Sequence, residues 1–189
     1  MAIMTRTFYS GGIFLQEAFT LLLTGLSGAG KTTIAEGIAR RLRSHQIQFE
    51  LLDGDVIRHE IGQMFGYSRE ERIKVSHILK LLAKTLNRNG ISVIIAALTP
   101  YQEMRDNYRR ELNNYIEAFI DCPLEVCIAR DVKGLYKNYY EGRVNNVVGI
   151  DDVFEIPQTP DLVLRTSERL LDDCIDQVMD VIYQNKLRK

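Results

Sequence analysis

The sequence predicts an α/β domain in which a five-stranded parallel sheet carries helices on both faces. Three observations predict it. A glycine-rich loop, Gly25-Leu26-Ser27-Gly28-Ala29-Gly30-Lys31-Thr32, stands between an apolar run and a helical pattern. Short apolar runs then alternate with helical segments along the chain, giving the order β-α-β-α-β-α-β-α. One run, residues 91–97, is almost continuously apolar, the mark of a central parallel strand covered on both faces. This order implies a doubly wound sheet with right-handed crossovers.

The first strand is predicted at residues 19–24. The first helix spans residues 33–42, where Ile34, Ile38 and Leu42 recur at helical spacing. The loop between them fits G-x-x-x-x-G-K-[ST] with every fixed position filled, in the strand–turn–helix context that a phosphate-binding P-loop requires. Backbone N–H groups wrap a polyphosphate there, and a Cβ at the glycines would hinder its approach. The helix aims its positive end at the phosphates. Lys31 supplies a point charge for the β- and γ-phosphates, and the Thr32 hydroxyl a ligand for Mg²⁺. The expected class is thus a P-loop NTPase/kinase fold taking ATP and Mg²⁺.

Residues 49–52 read as the second strand, which delivers Asp53-Gly54-Asp55 at its carboxyl end. Two carboxylates around a glycine suit an Mg²⁺ site, a base for a hydroxyl, or both. They also suit an Asx-type turn in which Asp55 precedes a short helix at 56–62. The strand-end position favours the functional reading, because ligands of open α/β sheets bind there. Arg58 follows. Gly66-Tyr67-Ser68 makes a turn, and Ser68-Arg69-Glu70-Glu71 matches a capping box opening a helix to about Arg88. Asn89-Gly90 stops that helix. Arg72 lies in its first turn, where a cation is locally unfavourable and hints at an anionic partner. From its neighbours alone, it reads as a surface arginine beside Glu70 and Glu71. His77 reads as a packed or surface histidine.

The central strand ends at Leu98-Thr99-Pro100-Tyr101. A helix at 103–112, a strand at 115–121 and a short helix at 123–130 follow. Residues 131–140 are basic and aromatic, with Arg143 and Gly149-Ile150-Asp151-Asp152 beyond. Such a segment suits either a lid that excludes water from bound phosphates or a solvated surface helix. The last strand is predicted at 161–164. A closing helix is predicted at 168–185, with Leu171, Ile175, Val178 and Ile182 on one face.

Length and composition fit this plan. The chain has 189 residues, 24 Lys+Arg against 25 Asp+Glu, and no basic stripe that would mark a nucleic-acid surface. Its three cysteines, Cys122, Cys127 and Cys174, form no C-x-x-C pair and read as thiols of a reducing compartment. No apolar run approaches the ~20 residues that span a bilayer. Residues 1–17 lack the apolar core of a signal peptide and read as an irregular extension. Residues 18–189 read as one domain, with the candidate lid at about 131–149, of a cytoplasmic enzyme.

From about residue 19 to residue 164 the sequence resembles the adenylylsulfate kinases (APS kinases). The resemblance rests on the P-loop, on Leu52-Asp53-Gly54-Asp55-Val56-Ile57-Arg58-His59, and on Gly66-Tyr67-Ser68-Arg69-Glu70-Glu71-Arg72. Thr99-Pro100-Tyr101, Pro123-Leu124-Glu125-Val126-Cys127, Lys133-Gly134-Leu135-Tyr136-Lys137 and Gly149-Ile150-Asp151-Asp152 extend it. It implies transfer of the ATP γ-phosphate to the 3′-hydroxyl of adenosine 5′-phosphosulfate, in sulfate assimilation, by a homodimer. Asp53 and Asp55 would serve Mg²⁺ and the accepting hydroxyl, with Lys31 and Thr99 completing the catalytic set. Gly25, Leu26, Ser27, Gly28, Ala29, Gly30, Lys31, Thr32, Thr33 and Arg130 would hold ATP. Arg58 and Arg72 would grip the phosphosulfate, and Tyr67, where the family usually has Phe, would stack on its adenine. Leu98, Lys133 and Val147 would complete the acceptor site, with Lys133 in the lid.

Four departures stand out. Val75 replaces a usual Asn, His77 and Ile78 replace arginines, Thr99 replaces a serine, and Val147 replaces the second stacking Phe. A ring restored at 147 is expected to tighten adenylylsulfate binding. Because Val75 and Val147 withdraw acceptor contacts, a related kinase for another compact anionic nucleotide or sugar-like acceptor is the competing expectation. A nucleotide-binding protein without catalysis is a further one, opposed by the intact Lys31, Thr32, Asp53 and Asp55.

Overall fold

The computed structural model describes residues 18–187, so the expected extension at 1–17 lies outside the described residues. Five parallel strands, β1 (Thr20–Thr24), β2 (Phe49–Asp53), β3 (Ser92–Ala96), β4 (Tyr115–Asp121) and β5 (Leu162–Arg165), form one sheet in the order β2-β3-β1-β4-β5. The five-stranded parallel sheet is therefore as the sequence predicts. β1 is central, with Leu22 in register with Ile95 on one side and Glu117 on the other.

Strand alternation divides the core into two layers. Leu21 and Leu23 face one side, packing with α1 (Lys31–Ser44) and α7 (Leu171–Leu187) through Ile34, Ile38, Ile175 and Val178. Leu22, Val93 and Ile95 face the other side, against Val75 and Leu79 of α3 (Arg69–Arg88) and Tyr108 of α4 (Gln102–Glu111). Helices thus cover both faces, and both layers meet at the carboxyl ends of β1 and β3. There the chain after β1 goes to one face and the chain after β3 to the other, leaving a crevice.

Several boundaries differ from expectation for local reasons. α1 begins at Lys31, two residues early, because Gly30 at φ 105° turns the loop directly into the helix. The helix after β2, α2 (Gly54–Glu60), also starts early, because its cap is Asp53 and not Asp55. A 3₁₀ turn at Gly62–Met64 follows it. The capping box at Ser68 is complete: Ser68 Oγ accepts from Glu71 N, and the Glu71 carboxylate accepts from Ser68 N and Gly66 N. The closing helix begins at Leu171 because residues 166–169 form a turn and bend after β5.

The lid segment resolves into parts. After α5 (Leu124–Arg130), Asp131 caps α6 (Leu135–Tyr140) by accepting from Tyr136 N and Lys137 N. Tyr136 is 1% exposed and donates to Ser27 O at 3.0 Å, so α6 is pinned to the P-loop. It is therefore not a solvated helix. The exposed parts are Val132 and Lys133 before α6, Lys137 and Tyr140 on its outer side, and residues 141–146 after it.

Arg105 is the largest fully buried side chain. Its guanidinium donates to Thr99 O, Glu155 O and Gln102 Oε1. Glu117 lies 3.5 Å away, and burial raises its carboxyl although Arg105 and Arg109 pull it down. Removing the guanidinium strips Glu117 of its buried cation and leaves the partly exposed Arg109 at 3.4 Å, and breaking a buried pair in this way costs about 3–5 kcal/mol. We expect Arg105→Ala to lower the chemical-denaturation midpoint accordingly; a stability loss under 1 kcal/mol would contradict this packing.

Candidate active site

A cleft of about 1440 Å³ opens along the carboxyl ends of β1, β2 and β3. The P-loop forms one end. Gly25 has φ 154°, and a Cβ there would meet Ile120 O at 2.6 Å; Gly28 has φ 77°, and its Cβ would meet Cys127 O at 2.8 Å. The glycines are therefore required by β4 and α5 behind the loop as well as by phosphates in front. Ser27, Gly28, Gly30, Lys31, Thr32 and Thr33 line the cleft. Gly25, Leu26 and Ala29, expected to touch ATP, do not line it. Ala29 is fully buried and Leu26 packs against the core, so these three shape the loop from behind.

Lys31 Nζ donates to Gly25 O and Leu26 O at 2.9 and 2.8 Å, and burial lowers its ammonium to about 8, against the raising effect of Asp55. Thr32 Oγ1 donates to Asp53 Oδ2 at 2.9 Å, while Asp53 Oδ1 accepts from Asp55 N and Val56 N. Asp53 thus satisfies both readings at once: one oxygen caps α2 and the other meets the P-loop hydroxyl. Asp55, in the first turn of α2, pairs with Lys133 across the cleft mouth. Burial pulls the Lys133 ammonium down, but the Asp55 carboxylate outweighs it and holds it above its ordinary value.

The opposite end is cationic and aromatic. The Tyr67 ring lies under two guanidiniums, Arg58 at 4.6 Å and Arg72 at 5.4 Å. Arg58 is held by Phe65 O and Gly66 O, and Arg72 by Tyr67 O and Asn146 O, with Asp152 at 3.5 Å. Tyr67 remains 54% exposed in the cleft, leaving much of its surface accessible. Arg72 is therefore no ordinary surface arginine: it ties α3 to the segment before Val147.

Two expected roles do not fit this geometry. Thr99 is 4% exposed and its hydroxyl donates to Thr24 Oγ1 at 2.7 Å, so in this structure that hydroxyl braces the ends of β1 and β3. Val147 is 2% exposed: it packs in the apolar layer where that layer borders the cleft, and so presents little surface for stacking. Leu98, Thr99 and Val147 all line the cleft. The sequence reading missed Thr166 and Arg169, which line the cleft where Arg130 bridges Gly28 O and Thr166 O. Thr166 follows β5 directly, so the strand-end rule could have found it.

A family profile described as Adenylylsulphate kinase matches residues 17–165. The chain belongs to this family. An adenylyl-sulfate kinase of Synechococcus sp. (strain JA-3-3Ab) is 42% identical over 164 residues, covering 87% of this chain and 93% of the relative. A probable adenylyl-sulfate kinase of Pseudomonas aeruginosa is 43% identical over 85% of this chain and 75% of the relative. Among solved structures, the Mycobacterium tuberculosis APS kinase CysC in complex with AMPPNP and APS superposes with a TM-score of 0.84. It is 32% identical, over 88% of this chain and 98% of that one.

Within the adenylylsulfate kinases, position 147 now reads differently. A phenylalanine there must fit into the packed layer that borders the cleft, and overpacking costs about 1–3 kcal/mol. We therefore expect Val147→Phe to lower the melting temperature before it improves any stacking. An unchanged melting temperature with tighter adenylylsulfate binding would restore the sequence-based expectation.

Proposed function

We propose that this protein transfers the γ-phosphoryl group of ATP to the 3′-hydroxyl of adenosine 5′-phosphosulfate. One observation carries the reading: a single cleft joins the P-loop to the Arg58–Tyr67–Arg72 cluster, with Asp55 between them. A ring that can stack on a base and two cations that can grip a phosphosulfate suit this acceptor. Family membership supports the same acceptor.

Lys31 leaves its two carbonyls for the β- and γ-phosphates, and the amides before α1 hold them. The acceptor oxygen attacks the γ-phosphorus in line as the bond to the β-bridging oxygen breaks, giving ADP and 3′-phosphoadenosine 5′-phosphosulfate. The hydroxyl proton passes to the Asp55 carboxylate. Thr32 and Asp53 offer adjacent hard oxygens, which fits Mg²⁺, an ion that takes few protein ligands and keeps waters and phosphates. Bound there, Mg²⁺ would neutralise phosphate charge. Arg130 with Thr166 and Arg169 flanks the nucleotide of ATP, and Lys133 with residues 141–146 closes the mouth.

The competing acceptor, another compact anionic nucleotide or sugar, is favoured by Val75, which is buried among apolar residues and offers no polar contact. An acceptor screen with ATP, following ADP release, separates the two. Turnover with adenylylsulfate above all other acceptors is expected, and its absence overturns the proposal. We further propose a cytoplasmic homodimer; light scattering at twice the chain mass tests the assembly.

A further inference from the structure

One face of α3 carries Arg72, Val75, Ser76, Leu79 and Ala83 at helical spacing. Val75, Leu79 and Ala83 enter the apolar layer with Leu52 and Val93. Ser76 does not belong there by chemistry. It is 2% exposed, and among the described residues its Oγ has no hydrogen-bond partner. A helical serine can satisfy itself on the carbonyl four residues earlier, and this one does not. Its own carbonyl is occupied by the Tyr108 hydroxyl at 2.9 Å.

A buried hydroxyl left unpaired destabilises the state that holds it. Ser76 also lines the cleft, together with Val75, Leu79, Pro100 and Met104. It stands four residues, just over one helical turn or about 6 Å along the axis, from Arg72. The position therefore offers one polar group on an otherwise apolar wall, one turn beyond a guanidinium.

We infer that Ser76 Oγ is a specificity contact for the acceptor. This rests on the proposed function. While Arg72 holds the acceptor's anion, the Ser76 hydroxyl hydrogen-bonds a polar atom of the same molecule, supplying on this wall the polarity that Val75 lacks. The pairing happens only in the complex, so the free protein carries the unmet hydroxyl. An acceptor without a polar atom at that place leaves the serine buried and unpaired, and is selected against.

The test compares the full-length enzyme with Ser76→Ala and Ser76→Cys, measuring kinetics for both substrates and melting temperature without ligand. For Ser76→Ala, kcat/KM for adenylylsulfate is expected to fall about tenfold, the scale of one net hydrogen bond. KM for ATP stays within about twofold, and the ligand-free melting temperature is unchanged or higher, because an unmet hydroxyl is removed. Ser76→Cys, with a weaker donor of similar size, falls between. Unchanged kcat/KM for adenylylsulfate in a folded Ser76→Ala enzyme overturns the inference. So does a lowered melting temperature with equal losses for both substrates, which marks a structural serine. Should the unaltered enzyme turn over a different acceptor, the proposed function falls, and the same ratio measured with that acceptor decides Ser76 separately.

Discussion

Lys31→Ala is expected to lower kcat about 10²–10³-fold or more, the effect of removing one preorganised charge from the transferring phosphoryl group. The loss should come without loss of fold. In the ligand-free protein the Lys31 ammonium sits on Gly25 O and Leu26 O, and burial lowers it to about 8 from an ordinary 10.5. A lysine lowered on folding disfavours the folded state at every pH below about 8, and that penalty fades as pH rises from 8 towards 10.5. Removing the ammonium therefore leaves the melting temperature at pH 7 unchanged or raises it. ATP, in contrast, binds the protonated form, so its affinity in the native enzyme should weaken as pH rises through about 8. Kinetics, thermal melts and ATP titrations at pH 7 and 9 check these together. Full activity in the variant would remove Lys31 from the mechanism.

Asp55→Asn should lower kcat about 10²–10⁴-fold, the usual range for a positioned proton acceptor. Little stability is at stake. The Asp55 side chain is 69% exposed, and an exposed ion pair such as that with Lys133 contributes about 0–1 kcal/mol. The asparagine keeps the size of the side chain but cannot take the hydroxyl proton. ATP affinity should change little, because Thr32 and Asp53 remain paired at the P-loop. Steady-state kcat and an ATP-binding titration separate the two effects. A kcat within twofold of the unaltered enzyme would move the proton to another group.

Much of this was legible because the signals are local. The P-loop pattern, the capping box at Ser68 and the alternation of apolar runs each depend on residues close in sequence, and the structure places them as predicted. The resemblance carried Arg58, Tyr67 and Arg72 further than their neighbours could, and the structure brings all three together. Features that the sequence did not reveal depend on what a side chain meets across the fold. Arg105 sits in a charged helix, yet faces Thr99 and Glu155. The resemblance implied a catalytic Thr99, yet its hydroxyl is taken by Thr24. Ser76 drew no attention in sequence, since only its burial without a partner makes it unusual.

The sequence by itself determined the parallel sheet, the phosphate-binding loop and the donor half of the reaction. Those follow from backbone periodicity and from one contiguous motif. Tertiary structure alone decided that Asp53 serves helix and P-loop together, that α6 is pinned by Tyr136 to Ser27, and that Val147 belongs to the core. It also decided which polar groups line the cleft beside Arg72. The reason is physical: hydrogen-bond partnership and burial are set by residues tens of positions apart, brought together only when the strand ends converge.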